Sequence, residues 1–240
     1  FRKQKIAEDA FMAARGYRCG WLLTVTGYGA AWEPGVPPLP VRVAAFRELA
    51  QRIGPEQVVW RYDPIVLSRR LDGDFHRRAF ADLAAALQGS TRRVIVSALD
   101  QYGFIGPRVA RAARATGDAL VADPLAQPDF PRLLQDLAGL AAAHGMEIQS
   151  CAEPGDVWRR AGIAAGSCLD AAWLRRAFGV AVPARKDPGQ RAACRCAVAR
   201  DIGARDTCPH GCAYCYAAGR DADGTSRSRR HDPQAPRLIP

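Results

Sequence analysis

RRVIVSAL, residues 92–99, decides how this chain folds. Val94, Ile95 and Val96 are apolar in succession, so a strand here needs cover on both faces. Strands of that kind belong to parallel sheets with helices packed against them. The pattern repeats on either side. WLLTVT (21–26) and QVVWRY (57–62) precede it as short β-rich runs, and MEIQS (146–150) follows as a fourth. Helical stretches separate them. Pro40 suits the first turn of a helix over 40–53, where Phe46, Leu49, Ala50 and Ile53 share a face and Gly54 stops it. Asp74 is the expected cap of a helix over 75–88, with Phe80, Leu83 and Leu87 on one side and Gly89 at its end. A small helix is expected within 107–115. A longer one is expected over 130–143, capped by Asp129 and closed by Gly145.

Four βα units in a row, with right-handed crossovers, set successive strands side by side. No G-x-G-x-x-G follows any strand, which favours a β/α barrel over a dinucleotide-binding sheet. In a barrel the chemistry sits at the carboxyl ends of the strands. Those ends carry Thr26 and Tyr28, then Arg61, Tyr62 and Asp63, then Ser97 and Asp100, then Gln149, Cys151 and Glu153. Singly, each reads as a satisfied loop residue; together they outline a pocket. Beyond Glu153, helical stretches are expected near 156–164 and 169–178, with Cys168 between them packed as a small buried residue. Residues 181–193 read as a linker, and CAVARDI (196–202) as a further strand. The organisation read from this pass is an atypical segment 1–20, barrel units 21–180, a linker, strand and cysteine loop over 181–218, and a mobile tail 219–240.

The chain of 240 residues is long enough to bury a real core. It has no run of eighteen apolar residues, so no membrane span is expected, and no charged start followed by an apolar block that would mark a signal peptide. It opens on Phe1, and the natural start is expected to lie upstream. The net charge of +10 is carried almost wholly by arginine, in scattered pairs such as Arg69-Arg70 and Arg159-Arg160. A basic surface can hold nucleic acid or an anionic cofactor; arginine-for-lysine usage from a GC-rich genome accounts for the same numbers. Five of the eight cysteines fall between 194 and 215, which suits a metal site in a reduced, cytoplasmic compartment better than a disulfide scaffold.

TCPHGCAYCYA (207–217) places Cys208, Cys212 and Cys215 in one loop with C-x3-C-x2-C spacing. Two readings stay open. Structural zinc wants four ligands, for which Cys194, Cys196 and His210 are at hand. A [4Fe–4S] cluster held by three thiolates keeps one iron open for S-adenosylmethionine, whose reductive cleavage yields a 5′-deoxyadenosyl radical. The spacing, with aromatic Tyr214 before the last cysteine, is similar to that of radical S-adenosylmethionine enzymes. In those barrels the motif follows the first strand; here it comes late, which implies a partial or circularly permuted barrel. Their Gly-Gly-Glu contact to the methionine amine has no counterpart, and Glu153 in CAEPGD (151–156) is the nearest substitute.

In order, VVWRYDPI (58–65), SCAE (150–153), the CRC pair (194–196), DIG (201–203), TCPHGCAYCYA (207–217) and HDPQAP (231–236) resemble the bacterial domain of unknown function 1848 family. The resemblance covers roughly 21–240. It implies an iron–sulfur protein with Cys208, Cys212 and Cys215 on the cluster, Cys194 and Cys196 as a paired second set, and Arg61, Asp63, Cys151 and Glu153 at motif positions of unassigned role. It supplies no substrate. The family's usual opening, a run like SRRTDIP and then a strand into WTKNP, is missing from this chain, so one or two amino-terminal strands are expected to be absent. Ala199 and Arg205 stand where the family tends to have a serine and an aromatic.

Three functions follow. The first is a radical S-adenosylmethionine enzyme of unknown substrate, with Arg61, Asp63, Cys151 and Glu153 as candidate site residues. Tyr62, Cys151 and Tyr216 are its candidate hydrogen-atom donors. An electron donor such as a flavodoxin or ferredoxin is its implied partner. A nucleic-acid lesion is one substrate option, from the basic charge and a motif like that of spore-photoproduct lyases. The second is a non-catalytic protein with a closed iron–sulfur or zinc site that includes Cys194 and Cys196. The third is an inactive, truncated homologue.

Overall fold

The computed structural model describes residues 12–100, 103–154 and 156–218. Five strands form one sheet: β1 Trp21–Thr24, β2 Val58–Ile65, β3 Arg93–Ala98, β4 Glu147–Cys151 and β5 Ala164–Gly166. Every neighbouring pair is parallel and the order is β1-β2-β3-β4-β5. Each strand therefore lies beside its predecessor in sequence, with no reversal of direction across the sheet. That winding is compatible with part of an α/β barrel.

The alternation within each strand sets the layers. Leu23 of β1, Val58, Trp60 and Tyr62 of β2, Val94 and Val96 of β3 and Ile148 of β4 face one way. Against them pack α1 (Leu39–Ile53) through Phe46 and Leu49, α2 (Gly73–Leu87) through Phe80 and Leu83, and α4 (Phe130–Ala143) through Leu134 and Leu137. Each of these side chains removes enough apolar surface from water to contribute about 1.5–3 kcal/mol. Trp60 also donates from Nε1 to the Val25 carbonyl at 2.8 Å, so its one polar atom is satisfied in the core. The short α5 (Asp156–Arg160) adds Trp158 to the same layer. The opposite face is covered differently. Val59 and Ile95 meet Trp173 of α6 (Ala171–Phe178), with Cys151 and Cys168 at the margin. α3 (Gly106–Ala115) sits past the end of β3 and packs Val109 and Ala112 on Tyr28, Trp32 and Val66. Among the described residues no helix is long and apolar enough to cross a membrane.

Several expectations are corrected. Asp72, not Asp74, caps α2, accepting from the Phe75 N–H at 2.8 Å; Asp74 lies inside the first turn, paired with Arg77. Asp129 makes no side-chain cap because its own backbone is already helical. The helix expected over 156–164 stops at Arg160, and Ala164–Gly166 becomes β5. Small residues suit β5, since a Cβ on Gly166 would come within 2.5 Å of Gln149. CAVARDI is not a strand: only Ala197 forms an isolated bridge, to Lys186, and its N–H bonds to Leu169 O at 2.9 Å. Val198 and Ile202 stand 52% and 84% exposed, so no apolar face is there to drive the segment into the sheet. Residues 181–193 form no helix or strand. HDPQAP and the tail 219–240 lie outside the described residues.

Candidate cysteine centre at the carboxyl rim of the sheet

The connection after β1 builds the seat for the cysteine loop. Tyr28 locks that connection to β2: its hydroxyl donates to Pro64 O at 2.7 Å and accepts from the Val66 N–H at 2.9 Å. The chain then turns through Trp32, Glu33, Pro34 and Gly35. The cysteine loop docks on this turn by backbone pairing: Gly35 N–H to His210 O at 2.8 Å, and Ala213 N–H to Trp32 O at 2.9 Å. His210 Nδ1 donates back to Gly35 O at 2.9 Å. Approach is close enough that a Cβ on Gly35 would lie 2.8 Å from both His210 O and Pro209 O. From the far side Arg108, in the first turn of α3, donates to Cys215 O at 2.6 Å. Because Trp32–Gly35 follow β1 and Arg108 follows β3, the loop sits at the carboxyl ends of the strands.

A buried carboxylate underlies it. Glu33 is 4% exposed. Its Oε1 accepts from the Thr26 hydroxyl and the Tyr214 hydroxyl, and its Oε2 faces Arg42 of α1 at 3.4 Å. Burial, and then the Glu33 charge, raise the Tyr214 phenol well above its ordinary value. Burial also pushes the Cys212 thiol up to about 12, with Glu33, Cys215 and Cys208 adding to it. Cys208, Cys212 and Cys215 therefore share one electrostatic neighbourhood. Cys208 is exposed, the other two half-buried, and none of the eight cysteines is in a disulfide.

The strand-end residues gather on the sheet face opposite the helices α1, α2 and α4. Arg61 pairs with Asp63, and Asp63 accepts from Ser97 on β3. Burial works against the Arg61 charge, but Asp63 and the nearby Cys168 and Cys151 raise its pKa. Its Nε has no hydrogen-bond partner among the described residues. Glu153 accepts from the Ala98 N–H at 2.7 Å, at the end of β3. Burial, opposed by that bond, lifts its carboxyl to about 7, so it is poised to hold or give a proton near neutrality. Gln149 lies deeper, bonded to buried Arg93. Asp100 forms an ion pair with Arg191 on the rim. The Tyr216 hydroxyl lies within electrostatic reach of Arg61, Asp63, Cys168 and Cys215.

Two sequence-derived assignments change here. Tyr62 is not at the rim: it is fully buried on the helix side, with its hydroxyl 2.8 Å from His76 Nδ1. His76 Nε2 faces the Val66 carbonyl at 2.9 Å, so Nε2 carries the proton and Nδ1 accepts from Tyr62. Cys168 does not pack as a small core residue: it is half-buried and its sulfur is 3.2 Å from that of Cys151. The thiol neighbours of Cys196 are Cys168 and Cys194. The hydrogen bond between the two thiols lowers Cys151 and holds Cys168 up, to about 11, while Arg61 favours the thiolate of both. Glu33 and Arg108, which hold the cysteine loop through Tyr214 and Cys215 O, are residues that sequence reading missed. A lone acid inside the apolar turn AAWEPGVPP (30–38) was the signal for Glu33. Arg108 gave none.

Among the described residues no three His, Cys, Asp or Glu side chains gather where a single ion could sit. A cleft of about 350 Å³ opens elsewhere, between the first turns of α2 and α4, lined by Asp72, Asp74, Arg77 and Phe130 among others and by none of the candidate site residues. A family model described as "Domain of unknown function (DUF1848)" matches residues 3–217. The match begins earlier than residue 21 and ends on the cysteine loop, before HDPQAP. No curated protein and no solved structure matches the chain.

Proposed function

This chain belongs to the domain of unknown function 1848 family, and on that premise we propose that it is an iron–sulfur enzyme of the radical S-adenosylmethionine type. The observation that carries the reading is the seating of one three-cysteine loop at the carboxyl rim of a singly wound parallel sheet, with its Tyr216 in electrostatic reach of Arg61 and Asp63. The donor set suits a cluster better than one ion. A cluster distributes its thiolates over separate irons, so Cys208, Cys212 and Cys215 need not converge on a point. When bound, such a cluster supplies the electron that cleaves S-adenosylmethionine reductively.

The protein's own residues have narrower tasks. Cys208, Cys212 and Cys215 would hold the cluster. The Gly35–His210 and Trp32–Ala213 pairings, with Arg108 on Cys215 O, fix the loop backbone. Arg61, with a free Nε, is the candidate for a cofactor or substrate carboxylate, steered by Asp63 and Ser97. Glu153 is the candidate for an amine or for proton exchange near pH 7.

The test is anaerobic reconstitution with iron and sulfide, followed by iron analysis and reduced EPR spectra with and without S-adenosylmethionine. About four irons per chain and a spectrum altered by S-adenosylmethionine are expected. Cys212→Ala should lose most of that iron. Zinc without iron, or a cluster indifferent to S-adenosylmethionine, would sink the reading.

A further inference from the structure

A second group of thiols stands at the same rim and is not used by the proposed cluster. Cys151 is the last residue of β4, in register with Gly166 on β5, and Cys168 follows two residues later. Their sulfurs are 3.2 Å apart. Cys196 adjoins Cys168, and the Cys196 N–H donates to Cys194 Sγ at 3.5 Å. The segment carrying these last two is pinned there by Ala197 N–H to Leu169 O at 2.9 Å, one residue past Cys168. The Arg61 guanidinium lies within electrostatic reach of both Cys151 and Cys168, and a neighbouring cation favours thiolate. Both cysteines are partly exposed. Among the described residues no three donors meet at an ion-sized point, so the contact favours sulfur–sulfur chemistry over a shared metal ion.

We propose that Cys151 and Cys168 form a reversible dithiol–disulfide couple that exchanges with small-molecule disulfides, with Cys196 the third thiol in line. The Cys151 thiolate attacks one sulfur of the external disulfide, and the other sulfur leaves as a thiol. The resulting mixed disulfide is attacked at the Cys151 sulfur by Cys168, which releases the second external thiol. Two electrons pass from the protein pair to the external disulfide, and the two cysteine protons leave on the two product thiols. Closing the bond from 3.2 Å needs travel of roughly 1 Å, since a disulfide is about 2.0 Å long. Attack by Cys196 on the Cys168 sulfur would move the disulfide to Cys168–Cys196 and release Cys151 as a thiol, with no net reduction.

The experiment equilibrates the full chain in glutathione buffers of increasing oxidised fraction, without oxygen. Free thiols are trapped by alkylation, and cross-linked peptides are identified by mass spectrometry. A Cys151–Cys168 cross-link is expected to appear with a single midpoint, with two reduced glutathiones released per chain. Cys151→Ser should abolish it and leave Cys168 paired with Cys196 or with glutathione. Cys168→Ala gives an independent variant, and circular dichroism checks that each is folded. The Cys208→Ser, Cys212→Ser and Cys215→Ser changes combined should leave the cross-link in place, which separates this couple from the proposed cluster. Persistence of both free thiols in fully oxidised glutathione, a cross-link that requires a loop cysteine, or zinc held by Cys151 and Cys168 would each overturn the proposal.

Discussion

At the scale of single residues, the charges that matter are the buried ones. Glu33 and Arg42 have side chains only 3% and 6% exposed, and each relies on the other. Glu33→Ala leaves the guanidinium buried without its partner, a change that costs about 3–5 kcal/mol; chemical denaturation should read that loss, together with poorer iron loading, because Tyr214 loses its acceptor. His76 gives a pH dependence. Burial lowers its pKa from 6.5 to about 4, so the unfolded chain binds the proton first as pH falls. Stability is therefore full above about 6.5 and lost toward 4, by on the order of 3 kcal/mol. Glu153 acts in the opposite sense: its raised pKa means that the folded state binds the extra proton, a contribution lost as pH rises through about 7. Urea melts of wild type should thus change little between pH 6.5 and 5, whereas Glu153→Gln should expose the steep loss due to His76. A steep slope in wild type and none in the variant would contradict this. Arg42, Arg93 and Arg108 are all buried, so part of the positive charge that invites a nucleic-acid reading is internal and serves carboxylates and carbonyls.

At the scale of elements, the cysteine loop owes its position to a turn nearly 180 positions earlier in the chain. Gly35→Ala tests that dependence. Its Cβ would press on two backbone carbonyls, which cannot rotate away, and overpacking of this kind costs about 1–3 kcal/mol. Faster amide exchange at Gly35 and Ala213, with helices α1 and α2 unaffected, is the expected result. The strands and long helices were legible because their apolar spacing is periodic: β2 and β3 fall within two or three residues of their sequence-derived limits. CAVARDI was misread for a physical reason. Its composition suits a strand, but strand propensity expresses burial against neighbours, and Val198 and Ile202 stay exposed. β5 was missed for the converse reason. Ala164, Ala165 and Gly166 carry no apolar signal and are a strand only because β4 offers a ladder and Gln149 leaves no room for larger side chains. The candidate site was half legible: residue types at strand ends could be read directly, whereas the meeting of Cys151 with Cys168, or of Arg108 with Cys215, is a product of folding that local pattern does not encode.

At the scale of the whole molecule, the sheet has helices α1, α2 and α4 against one face and Trp173 of α6 against the other. Trp173 is 2% exposed, and its Nε1 donates to Glu56 O at 2.8 Å, so α6 also ties the stretch after β5 to the turn before β2. Trp173→Ala should cost about 3–5 kcal/mol and uncover Val59 and Ile95, which binding of a hydrophobic dye would report; an unchanged melting temperature would show that α6 is a passive cover. The docking of the last described segment on the first strand's turn has a consequence for biosynthesis. A ribosome releases the chain from its amino end, so the Trp32–Gly35 seat, the sheet and Arg108 emerge before any of the loop thiols. The cysteine loop therefore arrives at a receptacle already built, and the proposed cluster could be loaded only after the sheet and its seat have emerged.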